Sequence, residues 1–128
     1  VVEMDKVVED LKMVVRDIME RKGFKLENSR VKGKSGVEHF FELHFRSDIG
    51  GRELSVGVDI IVREKQVSLE DVLPSLIKAH DINSYIILVV MPHTDLSFKP
   101  LCLLEKNLFL IEGENVEEIK AALEKLAF

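Results

Sequence analysis

One cysteine, Cys102, is all the chain contains, so no disulfide can form within it and a reducing compartment suits it. Long apolar runs are missing too. The longest, Ile86-Ile-Leu-Val-Val-Met91, is the size of a strand and far short of the about 20 residues a bilayer-crossing helix needs. The N-terminus is amphipathic and charged rather than a secretory leader. These absences predict a cytoplasmic chain with no membrane partner. The sequence holds no internal repeat, low-complexity tract or linker, which predicts one domain over residues 1–128. It begins with Val1 rather than methionine, as expected of a trimmed chain or of one domain of a longer protein. A surplus of basic charge is also lacking: the net charge of −5 and pI near 5.4 make a poor footprint for nonspecific nucleic-acid binding.

What is present is a globular mixture, 46% hydrophobic and 32% charged, which excludes disorder. The charge is unevenly spread. Between Lys22 and Lys34 stand Lys22, Lys25, Arg30, Lys32 and Lys34 against Glu27 alone, whereas the segment from Glu112 onward is acidic. A basic hairpin on an acidic body can touch a phosphate backbone weakly and in a salt-sensitive way, so Arg30, Lys32 and Lys34 are the candidate nucleic-acid contacts.

Met4, Val7, Val8, Leu11, Val14, Val15 and Ile18 recur at helical spacing and predict a helix over residues 3–22, capped by Gly23. Phe24 to Lys32 alternates loosely, and Gly33-Lys-Ser-Gly36 reads as a hairpin turn. Strands are expected over 37–46 and 53–63, joined by a turn at 48–51, the second being apolar on both faces as a central strand is. Ser68 is placed to cap a helix over 69–80, with Asp71 near a capping-box position and Leu69, Val72, Leu73, Leu76 and Ile77 as its buried stripe. Pro74 predicts a kink or a late start. Residues 84–91 read as a buried parallel strand ended by Pro92, 97–106 as a helix interrupted by Pro100, 108–111 as a strand, and 116–126 as a last helix. The predicted fold is α/β: a single domain with a mixed central sheet, an antiparallel meander plus a parallel strand reached through a crossover helix, flanked by helices.

Two strand segments each carry a carboxylate within an apolar run, Glu42 in Gly36-Val-Glu-His-Phe-Phe-Glu-Leu-His-Phe45 and Asp59 in Leu54-Ser-Val-Gly-Val-Asp-Ile-Ile-Val62. Antiparallel neighbours could bring both acids onto one face. The element order, Ser35-Gly-Val-Glu-His-Phe-Phe-Glu-Leu43 and Leu108-Phe-Leu-Ile-Glu-Gly-Glu-Asn115 together resemble the Mrr-like branch of the restriction-endonuclease-like, PD-(D/E)xK, superfamily. The resemblance spans nearly the whole chain and rests mainly on architecture. It implies a site in which an acid on the second strand and an acid-x-lysine on the third bind Mg²⁺ and activate water. Carried over, the first acid falls on Glu42, the second on Gly57 and the lysine on Asp59, so the motif is degenerate. Glu42 and Asp59 are then the candidate catalytic and metal-binding residues.

No other side chain is expected to complete the motif. Arg63 shares the parity of Asp59 but stands roughly 13 Å along the strand. Lys78 lies opposite the expected apolar stripe of its helix and is expected in solvent, as is Glu20. The plain alternative makes Glu42 and Asp59 sheet-face acids paired with Arg46, His44 or Arg63. His39 and His44 fall on opposite faces of a strand and read as structural histidines. Lys32-Gly-Lys-Ser35 resembles the end of a phosphate-binding loop, but Asn28 stands where the earlier glycine is required and a strand follows rather than a helix, which rejects it. Cys102 reads as a small buried thiol.

Three functions follow as expectations: a catalytically inactive restriction-endonuclease-like domain in nucleic-acid association or protein interaction, a Mg²⁺-dependent DNA endonuclease with a rearranged site, or a homodimerisation domain. A cofactor, Mg²⁺, belongs only to the second. DNA through the basic hairpin and a second copy of the chain are the partners expected.

Overall fold

The structure, a computed structural model, describes residues 2–128. Helix α1 (Val2–Arg21) buries Leu11, Val15, Ile18 and Met19. It ends where Gly23 takes a left-handed φ of 95° and the Phe24 N–H returns to the Met19 carbonyl at 3.0 Å. Such a cap needs glycine because a side chain would crowd that backbone.

Seven strands follow: β1 (Lys25–Leu26), β2 (Arg30–Lys32), β3 (Glu38–Phe40), β4 (Leu43–Ser47), β5 (Leu54–Val62), β6 (Tyr85–Met91) and β7 (Leu108–Glu112). Five form the main sheet in the order β1-β4-β5-β6-β7, and β2 and β3 pair as a separate ribbon. β4 runs antiparallel to β5, with His44 opposite Gly57, whereas β5, β6 and β7 are parallel, with Asp59 opposite Leu88. Helices α2 (Leu69–Asp81), α3 (Lys99–Cys102) and α4 (Val116–Glu124) complete the domain. The α/β class and mixed sheet are those the sequence predicts, and β5 is the central strand.

Strand alternation divides the core. Val56, Val58, Ile60 and Val62 of β5 face α1 and α4, in one cluster with Leu11, Val15, Ile119 and Leu123. Ile61 faces the other way, in a cluster with Val72, Ala79 and Cys102 of α2 and α3. Fully buried side chains of this size contribute about 1.5–3 kcal/mol each.

Three expectations change. The segments 24–32 and 37–46 are each divided between the main sheet and the β2–β3 ribbon, so the first strands form a meander with a hairpin inserted into it. Helix α2 starts at Leu69 and continues through Pro74, so there is no late start; its capping box is complete, Ser68 accepting from the Asp71 N–H and Asp71 from the Ser68 N–H. The helix expected over 97–106 is only the short α3.

Candidate functional site

Asp59 sits at the middle of β5 on the α2 face and is 8% exposed. Its carboxylate is fully engaged. The Ser75 hydroxyl donates to Oδ2 at 2.7 Å, and the Lys78 ammonium donates to Oδ1 at 3.1 Å and Oδ2 at 3.2 Å. Lys78 also donates to the Phe40 carbonyl and lies 4.7 Å from the centre of the Phe41 ring. One ammonium thus joins β5, α2 and the junction between β3 and β4. A buried carboxylate needs such pairing because its desolvation is otherwise costly.

The expectation that Lys78 points to solvent, with no lysine beside Asp59, is therefore corrected. The cause is the rotation of α2. The buried residues of α2 are Val72, Ser75 and Ala79, not the apolar stripe through Leu73 and Ile77, which are 42% and 61% exposed. At about 100° per residue, the helix is turned by roughly a quarter turn from its hydrophobic pattern. That turn brings Ser75 inward onto Asp59 and Lys78 to the flank from which its long side chain reaches the sheet.

Glu42 and Asp59 do not converge. The chain bends at Phe41 and Glu42 between β3 and β4, which reverses the expected alternation. Phe41 turns into the α2-side cluster, whereas Glu42 turns to the α1 side, where Lys12 holds it at 3.1 Å in a cleft that includes Ile60 and Val62. Lys12 has a raised pKa through its hydrogen bond to Glu42, which outweighs its partial burial. The two candidate acids thus lie on opposite faces of the sheet and cannot share an ion. The partners proposed for them in the plain alternative also change: Arg46 pairs with Glu27 and Glu53, and Arg63 with Asp71.

At Gly57, where the resemblance to the nuclease motif would put a second acid, a Cβ would lie 2.8 Å from three carbons of the Phe41 ring. The aromatic ring fills the space a carboxylate would need. Among the described residues no group of three or more His, Cys, Asp or Glu is placed to hold a metal ion. Magnesium favours near-octahedral oxygen ligation, and one carboxylate already bound to lysine and serine does not fit it.

The basic hairpin is displayed on the α2 side. Arg30 and Lys32 are exposed on β2, and the Arg30 guanidinium lies 4.9 Å from the centre of the Phe40 ring, itself 55% exposed. Lys32 stands opposite Glu38 in the ribbon. The hairpin turn closes on Asp81, the last residue of α2. Its carboxylate accepts from the Ser35 N–H at 2.9 Å and the Ser35 hydroxyl at 2.6 Å, and its Oδ2 lies 2.7 Å from His39 Nε2. The Lys34 N–H donates to the Asp81 carbonyl at 2.6 Å. These bonds, led by the Ser35 hydroxyl and then His39, lower the Asp81 pKa to about 2. Gly33 is required here: a Cβ would fall 1.9 Å from Asp81 Oδ2. Sequence reading missed Asp81. The glycine-rich turn was legible, but its acceptor is 46 residues away.

His44 is buried and structural, as expected. Its Nδ1 lies 2.7 Å from the Asn28 carbonyl and Nε2 2.6 Å from the Ser55 hydroxyl, which in turn accepts from Ser84. Beyond the carboxyl ends of β6 and β7 lies an open cleft of about 480 Å³ lined in part by Thr94, Lys99 and Glu112. Burial raises the Glu112 pKa, but the Lys99 ammonium and the Thr94 N–H and hydroxyl outweigh it and leave the pKa lowered.

No family model and no curated protein matches the chain. The fold is similar to that of a solved structure, "Crystal Structure of Protein of Unknown Function AF1548", with a TM-score of 0.60 and 14% sequence identity. The match covers 86% of this chain and 62% of that one, so this chain spans less than two thirds of that structure's length. At this identity the likeness establishes the fold alone. No helix among the described residues is long and apolar enough to cross a membrane.

Proposed function

We propose that the chain is a non-hydrolytic restriction-endonuclease-like domain of the Mrr-like branch that associates with nucleic acid in the cytoplasm through its β2–β3 hairpin. The observation that carries this reading is the closed state of Asp59, held by Lys78 and Ser75 with Phe41 over Gly57. A hydrolytic site needs a second carboxylate beside Asp59 and room for water and phosphate, and Glu42 is on the far side of the sheet. The hairpin supports the binding half of the reading. Arg30, Lys32 and Lys34 supply cations for phosphate, and the exposed Phe40 supplies a ring on which an unstacked base can lie. The acidic body limits the affinity.

The test is fluorescence anisotropy with labelled single- and double-stranded DNA at about 50 mM salt, where phosphate contacts are strongest, beside a cleavage assay with Mg²⁺ and Mn²⁺. Binding without cleavage is expected, and reversing Arg30 and Lys32 to glutamate should remove it. Cleavage that Asp59→Asn abolishes would overturn the non-hydrolytic half of the reading. Absence of any binding would overturn the nucleic-acid reading.

A further inference from the structure

The turn of α2 that buries Ser75 leaves an apolar stripe outward. Glu70, Leu73, Pro74, Ile77 and His80 form its exposed face, with the hydrophobic residues in the middle and a charged or chargeable residue at each end. Of the eleven large hydrophobics left exposed among the described residues, eight lie on this layer, its connections or the hairpin packed against it; Met13, Leu26 and Phe128 lie elsewhere. Leu104, 73% exposed, shares a cleft with His80, and Leu101 and Leu103 beside it are 44% and 71% exposed. A groove of about 510 Å³ between the hairpin and α2, lined by Val37, Leu76 and Ile77 among others, widens it.

We infer that this face is the contact between two copies of the chain, with their α2 helices crossing antiparallel about a two-fold axis level with Ser75. The stripe is self-complementary about that point. Leu73 and Ile77 stand two residues to either side of Ser75, and Glu70 and His80 five residues to either side. A two-fold axis there sets Leu73 against Ile77 of the second copy and Glu70 against its His80, twice, as an isologous contact requires. His80 is free to turn outward: its side chain is 85% exposed, and Glu105 approaches only Nδ1, at 3.4 Å. The choice of a second copy follows from the stripe itself: its apolar pair Leu73 and Ile77 and its complementary pair Glu70 and His80 are each symmetric about one point, so the face offers a second copy both an apolar and a charged partner. A helix of this length gives a contact about 20 Å long. A stable dimer buries about 800 Å² on each partner, and the hairpin groove and the α3 leucines supply the area beyond the helix pair. The variants that test the interface lie on α2 and those that test DNA binding, at Arg30 and Lys32, lie on β2, so the two properties are probed separately.

Analytical ultracentrifugation of the whole chain, with circular dichroism to check folding, tests this. A dimer is expected at micromolar concentration, and Ile77→Glu should weaken it by about a hundredfold or more, as for a central interface residue. His80→Glu sets two carboxylates against each other at both ends and should also weaken it, while Glu70→Lys combined with His80→Glu should restore it. A wild-type chain that stays monomeric at about 100 μM, two decades above the micromolar range of modest dimers, or a dimer indifferent to Ile77→Glu, would overturn the interface. Failure of His80→Glu to weaken the dimer, or of the double variant to rescue it, would overturn the antiparallel pairing.

Discussion

Asp59 and Lys78 are each acceptable in the interior only because the other is there. Lys78→Ala leaves a buried carboxylate with Ser75 alone, and such broken pairs cost about 3–5 kcal/mol. For a chain of this size, even 3 kcal/mol corresponds to a melting temperature lowered by about 10 °C. Asp59→Asn with Lys78→Met removes both charges and keeps most of the volume, so it should recover the larger part of that loss; a urea-denaturation cycle over the four proteins measures the coupling. Gly57→Ala probes the same place from the other side. Its methyl must displace the Phe41 ring from 2.8 Å, and overpacking of this kind costs about 1–3 kcal/mol. Cys102, fully buried and with its thiol pKa raised by that burial, should resist thiol reagents in the native state.

At the scale of elements, the hairpin and α2 are joined by one carboxylate. Asp81 titrates near 2 in the folded chain against 3.8 as its ordinary value, so it stabilises the docked hairpin above about pH 4 and loses that effect as pH falls toward 2. The protection factor of the Ser35 amide, its exchange measured against the intrinsic rate at each pH, should therefore fall below pH 4 while β5 and β6 keep theirs, and Asp81→Asn should remove protection at Ser35 already at neutral pH. An equal loss of protection throughout the sheet would show that the hairpin does not open separately. The same two elements mark where sequence reading succeeded and failed. The Ser68–Asp71 cap of α2 was legible because capping is decided within four residues. The helix's rotation was not, since Leu73 and Ile77 made the stronger apolar stripe, and only the pairing of Asp59 with Ser75 and Lys78 explains why a weaker face is buried. Glu42 was misplaced for a similar reason: strict alternation holds along a strand, and a bend at Phe41 and Glu42 reverses it.

At the scale of the molecule, the two cores on either side of β5 face different surroundings. The α1–α4 side leaves few large apolar groups exposed, whereas the α2–α3 side carries both the basic hairpin and the outward leucines. If Arg30, Lys32 and Lys34 make three phosphate contacts, affinity for duplex DNA should fall about 40-fold between 50 and 200 mM salt. Titrations at four salt concentrations give the slope, and one near zero would exclude phosphate contact.

The class of the fold, the central place of β5, the parallel β6 and the capping of α2 were determined by the sequence itself, because alternation, turn glycines and caps are local and each acts over a few residues. The site was decided by tertiary structure. Whether Glu42 meets Asp59, whether Lys78 reaches inward and whether Ser35 finds Asp81 depend on how elements far apart in the chain rotate and bend against one another. A buried charge has more weight in that choice than a few exposed leucines, since an unpaired carboxylate in the interior costs more than apolar surface left on the outside.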